Sequence, residues 1–192
     1  MDLAALLRRY KPERFAATLS PRPPEENVEA APGRAKMLMM DTCAIIDGLA
    51  GRLPAGAVEM LGGALRFHCT VCLAEIAVGI AKRGQGAADT AAVRDRYAAL
   101  FQRVHDTALR SPTPGVWAAA GLVAGTLART QRFNPGQHKE LFNDAAIYLT
   151  AAQHGIPVLT ANRKEFDLIQ QVAGHGAFVF YRPGKGGGGD EI

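Results

Sequence analysis

The sequence lacks any apolar run of about 18 residues, the minimum length of a membrane-spanning helix. Its first ten residues also lack the regions of a secretory signal, because Pro12 and charged residues follow them directly. These two absences predict no membrane segment and a cytoplasmic location. With 192 residues, of which 48% are hydrophobic, the chain is long enough for one domain with extensions and a sizeable core.

Cysteine is scarce, and the three cysteines are too few and odd in number for a disulfide framework. Cys69 and Cys72 form a C-x-x-C pair, which also occurs in redox and zinc sites. A zinc site would need a fourth ligand, and only His68 lies nearby in the sequence. We therefore predict that these cysteines pack in the core.

The excess of positive charge is small, with 22 Lys and Arg against 18 Asp and Glu. Residues 37–174 carry thirteen basic and eleven acidic groups. If three of the acids are neutralised in a metal site, that balance becomes thirteen to eight. Such a surface tolerates a polyanion, although an ordinary solvated surface explains the same numbers.

The chain divides into three regions. In residues 1–36, three leucines indicate a short amphipathic helix, and the proline-rich segment 20–24 then predicts a linker or an arm that docks on something. Residues 37–182 form the predicted folded domain. Residues 183–192 contain four consecutive glycines and predict a disordered tail. The Gly-Lys in this tail is no phosphate loop, because no Ser or Thr follows the lysine.

Strand-like and helix-like segments alternate between the two extensions. The predicted strands cover residues 36–40, 66–69, 157–160 and 177–181, and the predicted helices cover 43–49, 70–82 with Thr70 as the N-cap, 90–103, 115–130 and 141–154. This alternation favours an α/β fold with a parallel sheet that is covered on both faces. Ligands of such folds bind beyond the carboxyl ends of the strands.

Three carboxylates stand out along this pattern. Asp41 ends an apolar strand, although it is equally suited to begin a turn or cap the next helix. Glu75 has apolar or small neighbours three and four positions away, which predicts a buried carboxylate that pairs with a cation or with a basic side chain. Asp144 begins a long apolar helix, where a negative charge also stabilises the helix dipole.

The three acids are more informative together than singly. If the fold brings them together, each pair repels by about 4 kcal/mol at about 4 Å and an effective dielectric constant near 20. A fold retains such a cluster when cations offset the repulsion. Magnesium and manganese, which prefer oxygen ligands, are the natural candidates.

Four segments carry a family resemblance, and they occur in the family's order: MMDTCAIID at 39–47, CTVCLAEIAVG at 69–79, NDAAI at 143–147 and LTANRKEF at 159–166. They resemble the PIN domain, in particular its VapC-type toxin branch. The resemblance implies a three-layer α/β/α sandwich with a short, mostly parallel sheet. It further implies Mg²⁺- or Mn²⁺-dependent endoribonuclease activity, as the toxin of a type II toxin–antitoxin pair.

The resemblance also assigns roles to residues. The family's catalytic and metal-binding acids fall on Asp41, Glu75 and Asp144, and its fourth catalytic position, Asp or Asn, falls on Asn162. A neutral Asn162 would hold a second cation more weakly than Asp. Glu165 could assist, or it could be a surface charge. The partners implied are an RNA substrate, an antitoxin protein and a second copy of the chain in a homodimer.

Four further residues are candidate nucleic-acid contacts. Arg163 and Lys164 follow Asn162 and could bind the phosphate backbone, or they could be solvated loop charges. Thr42 and Thr160 could bind phosphate or water near the metals, or they could cap local backbone. The metal would position the scissile phosphate and activate a water for in-line attack, which leaves a 5′-phosphate on the product.

Two other functions compete with the nuclease. A haloacid-dehalogenase-type phosphatase also places Asp after its first strand, but it requires a second Asp two residues later, where this chain has Cys43. The main alternative without enzymatic activity is a catalytically inactive PIN-fold module that binds RNA or regulates another protein. Such a module could retain all three acids.

Overall fold

Short parallel strands form the centre of the molecule. The structure, a computed structural model, describes residues 2–82, 90–131 and 133–184. In these residues one six-stranded sheet has the order β1-β6-β5-β2-β3-β4, and each pair of neighbouring strands is parallel. The strands are β1 (Val28–Glu29), β2 (Met37–Met40), β3 (Leu65–Cys69), β4 (Leu109–Arg110), β5 (Val158–Thr160) and β6 (Phe178–Phe180).

Helices connect these strands and cover the sheet. The described residues contain α1 (Leu3–Tyr10), α2 (Thr42–Leu49), α3 (Ala55–Gly62), α4 (Thr70–Ala81), α5 (Thr90–Arg103), α6 (Pro114–Gln131), α7 (His138–Gln153) and α8 (Arg163–Ala173). Since parallel sheets are stable when both faces are covered, this alternation gives a three-layer α/β/α sandwich. The fold class predicted from the sequence is confirmed.

Several boundaries differ from the predicted ones. The last long helix, α7, begins three residues earlier than predicted, so Asp144 lies in its second turn. Thr70 is the first residue of α4, and the N-cap is Cys69, which makes no side-chain capping hydrogen bond. The sequence patterns did not predict α3, α8, β1 or β4 as separate elements. No helix in the described ranges is both long and apolar enough to cross a bilayer.

The core is densest along the two central strands. Leu38 and Met39 of β2 and Val158 and Leu159 of β5 are completely buried. The register pairs Met39 with Val158 and Met40 with Leu159, so both strands end at the same edge of the sheet. Close packing on both faces therefore fixes the position of the residues that follow these strands.

The N-terminal arm, residues 2–36, docks on the rest of the chain. Helix α1 packs against α6, and β1 adds a short parallel strand next to β6. The boundary at residue 36 stays a prediction, and most of the predicted tail, residues 185–192, lies outside the described residues.

A buried carboxylate fastens the arm to α8. Asp167 is completely buried and accepts hydrogen bonds from the backbone N–H of Arg22 at 2.7 Å and from its Nε at 2.6 Å. Asn27 and Gln171 donate to the same carboxylate at 3.0 and 2.9 Å. Burial alone would raise the pKa of Asp167, but these hydrogen bonds outweigh it and hold the pKa below its usual value.

Removal of this carboxylate should destabilise the whole protein. We expect Asp167→Ala to lower the free energy of unfolding by about 3 kcal/mol, because Arg22 and Asn27 lose their buried partner. Urea denaturation measures this loss. The matched control is Arg8→Ala, which breaks an exposed ion pair with Asp2 and should cost at most about 1 kcal/mol. Equal losses in the two variants would contradict the role of Asp167.

The same carboxylate predicts a pH dependence. Since its pKa is lower in the folded state, its stabilisation is complete above the unfolded pKa of about 3.9 and is lost as the pH falls through the folded value. Asp167→Asn should remove this contribution. The difference in stability between wild type and Asp167→Asn should therefore shrink below about pH 4. A difference that stays constant with pH would contradict the stabilising role of the Asp167 carboxylate.

Candidate active site

Three carboxylates meet at the edge of the sheet where β2 and β5 end. Asp41 directly follows β2, and Asn162 lies two residues beyond β5. Glu75 comes from α4, which begins at the end of β3, and Asp144 comes from α7. Since β2 lies between β3 and β5 in the sheet, the parallel order brings these elements to one place.

Asp41 is buried and held by neighbouring donors. One carboxylate oxygen accepts the backbone N–H of Thr42 at 2.7 Å, so Asp41 also caps α2. The other accepts the Thr160 hydroxyl at 2.7 Å and the Cys43 thiol at 3.0 Å. Burial raises the pKa of Asp41 above its usual value despite these hydrogen bonds, and the charge of Glu75 raises it further.

Glu75 was predicted to be buried, and the structure shows it only half-buried. The reason is that Val78 and Gly79, one turn further along α4, are exposed at the rim of a groove. The Glu75 carboxylate accepts the Asn143 amide at 2.7 Å and the hydroxyl of Thr42. It pairs with no basic side chain among the described residues, so the alternative of a salt bridge has no support there.

Asp144 is half-buried and lies within reach of the other acids. The Asn162 amide donates to its carboxylate at 3.0 Å. Desolvation raises the pKa of Asp144 well above its usual value, and the charges of Asp41, Glu75 and Glu165 raise it further. The structure therefore places the three predicted acids at one edge of the sheet, where hydrogen bonds through neighbouring side chains link them. We call Asp41, Glu75 and Asp144 the acidic cluster.

The acidic cluster suits a hard divalent cation in its donor chemistry. Its ligand atoms are carboxylate oxygens, and no Lys or Arg in the described ranges forms an ion pair with any of its three members. Among those residues, however, no group of three or more His, Cys, Asp or Glu side chains is drawn together closely enough to hold a metal ion. The carboxylates are instead hydrogen-bonded to neighbouring side chains.

The four candidate nucleic-acid contacts lie in different environments. Thr160 is completely buried and bonds to Asp41, and Thr42 bonds to Glu75, so both hydroxyls orient the acidic cluster. Arg163 donates through one nitrogen to the carbonyl of Arg22 and to Asn27, at 2.8 and 2.7 Å, and so fastens the N-terminal arm. Lys164 is exposed.

The two cysteines of the C-x-x-C pair are core residues, as predicted. Cys69 and Cys72 are completely buried and are free thiols. Cys43 is half-buried, and burial together with the charge of Asp41 raises its pKa to about 12, which keeps it a protonated donor to that carboxylate. The role of Cys43 beside Asp41 was not predicted.

Asn143 is a second contact that the sequence analysis missed. Its amide fixes one oxygen of Glu75, 68 residues away in the chain. Its position next to Asp144 was the one sequence signal of this contact. Adjacent residues on a helix point about 100° apart, so they can contact two different members of one cluster. That orientation is decided by the packing of α7, which no local pattern reveals.

Comparison with known proteins identifies the fold. No protein-family model and no curated protein matches the sequence. A structure described as FitAB bound to an IR36 DNA fragment matches with a TM-score of 0.53 at 18% identity, over 75% of this chain and 94% of that chain. FitAcB from Neisseria gonorrhoeae matches with a TM-score of 0.50 at 18% identity, over 74% of this chain and 96% of that chain. The chain has a PIN-like fold.

The PIN-like fold confirms the architecture that the four sequence motifs predicted. At 18% identity the likeness concerns the fold alone. The assignment of catalytic and metal-binding roles to Asp41, Glu75, Asp144 and Asn162 stays a prediction, which the geometry of the acidic cluster makes specific enough to test.

Relief of the repulsion in the acidic cluster should stabilise the metal-free protein. A raised pKa means that the folded state binds a proton more tightly than the unfolded state, so the charged Asp144 costs stability at neutral pH. We expect Asp144→Asn to raise the melting temperature in EDTA, by about 2–4 °C for each kcal/mol relieved. Differential scanning calorimetry measures this shift. Asp95→Asn, an exposed position on α5, should leave it unchanged, and a lower melting temperature for Asp144→Asn would contradict the repulsion.

Proposed function

We propose that this protein is a Mg²⁺- or Mn²⁺-dependent endoribonuclease that acts as the toxin of a type II toxin–antitoxin pair. The observation that carries the proposal is the acidic cluster: three carboxylates from three separate parts of the chain lie at one edge of a parallel sheet, linked by hydrogen bonds through Thr42, Thr160 and Asn162. A cluster of this kind is costly unless a cation offsets the repulsion. The four sequence motifs and the PIN-like fold support the same chemistry.

The residues around the acidic cluster would orient it for this reaction. Thr160 and Cys43 hold Asp41, while Thr42 and Asn143 hold Glu75, so each carboxylate has a defined direction. A bound Mg²⁺ or Mn²⁺ would supply positive charge for the scissile phosphate and lower the pKa of the attacking water. In-line attack by water needs no 2′-hydroxyl, so the products should carry a 5′-phosphate.

Asn162 would favour one tightly held cation over two. Its amide donates to Asp144, whereas an Asp at this position would add a fourth carboxylate ligand. The neutral Asn162 and the internal hydrogen bonds of the acids are also the observations that favour the second candidate function, a catalytically inactive PIN-fold module.

A cleavage assay separates the two candidates. We expect the wild type to cut a mixed RNA pool in Mn²⁺ but not in EDTA. Asp41→Ala or Asp144→Asn should lower the rate at least about 100-fold, because loss of even an outer-shell partner of a metal costs about 10–100-fold. Gel electrophoresis of labelled RNA measures the rate, and the 5′ ends of the products identify the chemistry. The control is Glu59→Gln, an exposed acid on α3, which should cleave normally.

The outcome decides between enzyme and inactive module. Absence of Mn²⁺-dependent cleavage by the wild type would favour the inactive module. Cleavage that is the same in the wild type and in Asp41→Ala would show that the acidic cluster is not the active site.

The toxin part of the proposal adds protein partners. The VapC-type motifs imply an antitoxin that masks the site, and a homodimer. One of the solved structures with the same fold is described as FitAB bound to an IR36 DNA fragment. We infer that this chain also pairs with a second, smaller protein that is encoded next to it.

Growth of a host cell tests the toxin role. We expect expression of the wild type alone to arrest growth, because free RNA is cut, and expression together with the neighbouring gene to restore it. Colony counts after induction measure the effect, with Asp41→Ala as the harmless control. Normal growth with the wild type alone, at an expression level confirmed by immunoblot, would contradict a toxin.

A further inference from the structure

A groove opens beside the acidic cluster, between α4, α6 and α7. Its volume is about 560 Å³, and Glu75 and Asn143 form the part of its wall that belongs to the cluster. Trp117, Lys82 and Lys139 line it as well, and we call it the Trp117 groove. Since the groove begins at Glu75, a molecule that fills it lies directly next to the candidate active site.

Trp117 is held in place on one side and exposed on the other. Its ring stacks on Phe142, with the ring centroids 5.5 Å apart and an angle of 14° between the planes. The side chain is nevertheless 39% exposed. Phe142 immediately precedes Asn143, whose amide is bonded to Glu75. The indole is therefore fixed relative to the acidic cluster and offers a surface to a flat partner.

Charged side chains line the groove beside the indole. Lys82, Lys139 and Glu140 are exposed there, so two cations stand against one acid once the proposed cation offsets the charge of Glu75. Proteins that bind single-stranded nucleic acid combine cations for the backbone with aromatic rings on which bases stack. The Trp117 groove has both features within one cavity.

Two further cavities are linked to the groove by shared lining residues. A cavity of about 70 Å³, lined by Asp144, shares Glu140 with the Trp117 groove. A third cavity of about 300 Å³ shares Asn162 and Glu165 with the second, and it is lined by the exposed Lys164 and by Arg182, which pairs with Glu29 at 3.5 Å. A strand that follows all three cavities would have cations at both ends of its path and Asp144 in the middle.

We propose that Trp117 stacks on the base of a nucleotide next to the scissile phosphate. This inference rests on the proposed nuclease function and adds a residue that would hold the substrate. A base in a duplex is already stacked between its neighbours and paired across the helix, so it cannot lie on the indole without being unstacked at a cost of a few kcal/mol. An unpaired strand offers its bases freely.

Trp117 itself reports the interaction, because it is the only tryptophan of the chain. Titration of Asp144→Asn with a ten-nucleotide unpaired RNA should quench the tryptophan fluorescence to saturation. The same RNA in a perfect duplex should bind at least about tenfold more weakly, and inorganic polyphosphate should cause no quenching because it has no bases. Absence of quenching by the unpaired RNA at saturation would overturn the proposal.

Substitutions test the stacking surface independently of fluorescence. In anisotropy measurements with labelled RNA, Trp117→Ala should raise the dissociation constant about tenfold or more, whereas Trp117→Phe should retain the affinity within about threefold. Leu65→Ala is the control, because Leu65 is also exposed and apolar but lies at the opposite end of the sheet. Equal affinity of Trp117→Ala and wild type would overturn the proposal.

A pair of helical glycines tests the charge of the groove without touching Trp117. Gly79 lines the groove and Gly125 lies elsewhere on α6, and a side chain at either position meets nothing within 4 Å. Gly79→Glu should weaken RNA binding several-fold, because it places a negative charge in the path of the backbone. Gly125→Glu should bind RNA like the wild type. A greater loss of RNA affinity in Gly125→Glu than in Gly79→Glu would contradict the proposed path.

These outcomes separate this inference from the proposed function. Quenching by unpaired RNA without any cleavage by the wild type would support the groove and contradict the nuclease. Cleavage without quenching would support the nuclease and contradict the groove. Fluorescence that changes with protein concentration in the absence of RNA would show that the groove is a contact between two copies of the chain, which also overturns the proposal.

Discussion

Electrostatic repulsion among Asp41, Glu75 and Asp144 is the constraint on which the candidate site depends. The three side chains come from different elements, and like charges this close oppose the packing that brings those elements together. Within the protein, neutral donors offset part of this repulsion: the Thr160 hydroxyl and the Asn162 amide each donate a hydrogen bond to one of the acids. The buried central strands hold the resulting arrangement, so the stability of the core sustains a site that would otherwise separate.

The sequence predicted the parts of this arrangement that depend on position along the chain. Asp41 after an apolar run and Asp144 early in an amphipathic helix were found in that way, and the alternation of strands and helices predicted the parallel sheet. Contacts between distant segments were not predictable. Glu75 was predicted to be buried but is only half-buried, because three apolar helices leave a groove where the sequence pattern indicates a continuous core. Cys43 and Asn143 were missed because only the tertiary packing aims them at carboxylates.

Arg163 illustrates how a charge next to a candidate active site can serve the fold. From the sequence it was a candidate contact for nucleic acid, yet the structure shows its guanidinium bonded to the N-terminal arm and placed over the ring of Phe180. Together with the buried Asp167 it fixes the beginning and the middle of α8. The arm thus stabilises the same helix that presents Asn162 to the acidic cluster, although the arm lies outside the segments that carry the family resemblance.

The arm has a second consequence, which concerns the open ends of the sheet. An edge strand with free backbone N–H and C=O groups can pair with another molecule and begin aggregation. In the described residues the sheet ends in β1 on one side and in β4 on the other, and each contains two residues, one of them charged. Without β1, the apolar strand β6 would be the outer one. Val28 and Glu29 of the arm pair with β6 and cover its edge. The outer strand is then β1, which is too short to recruit another chain.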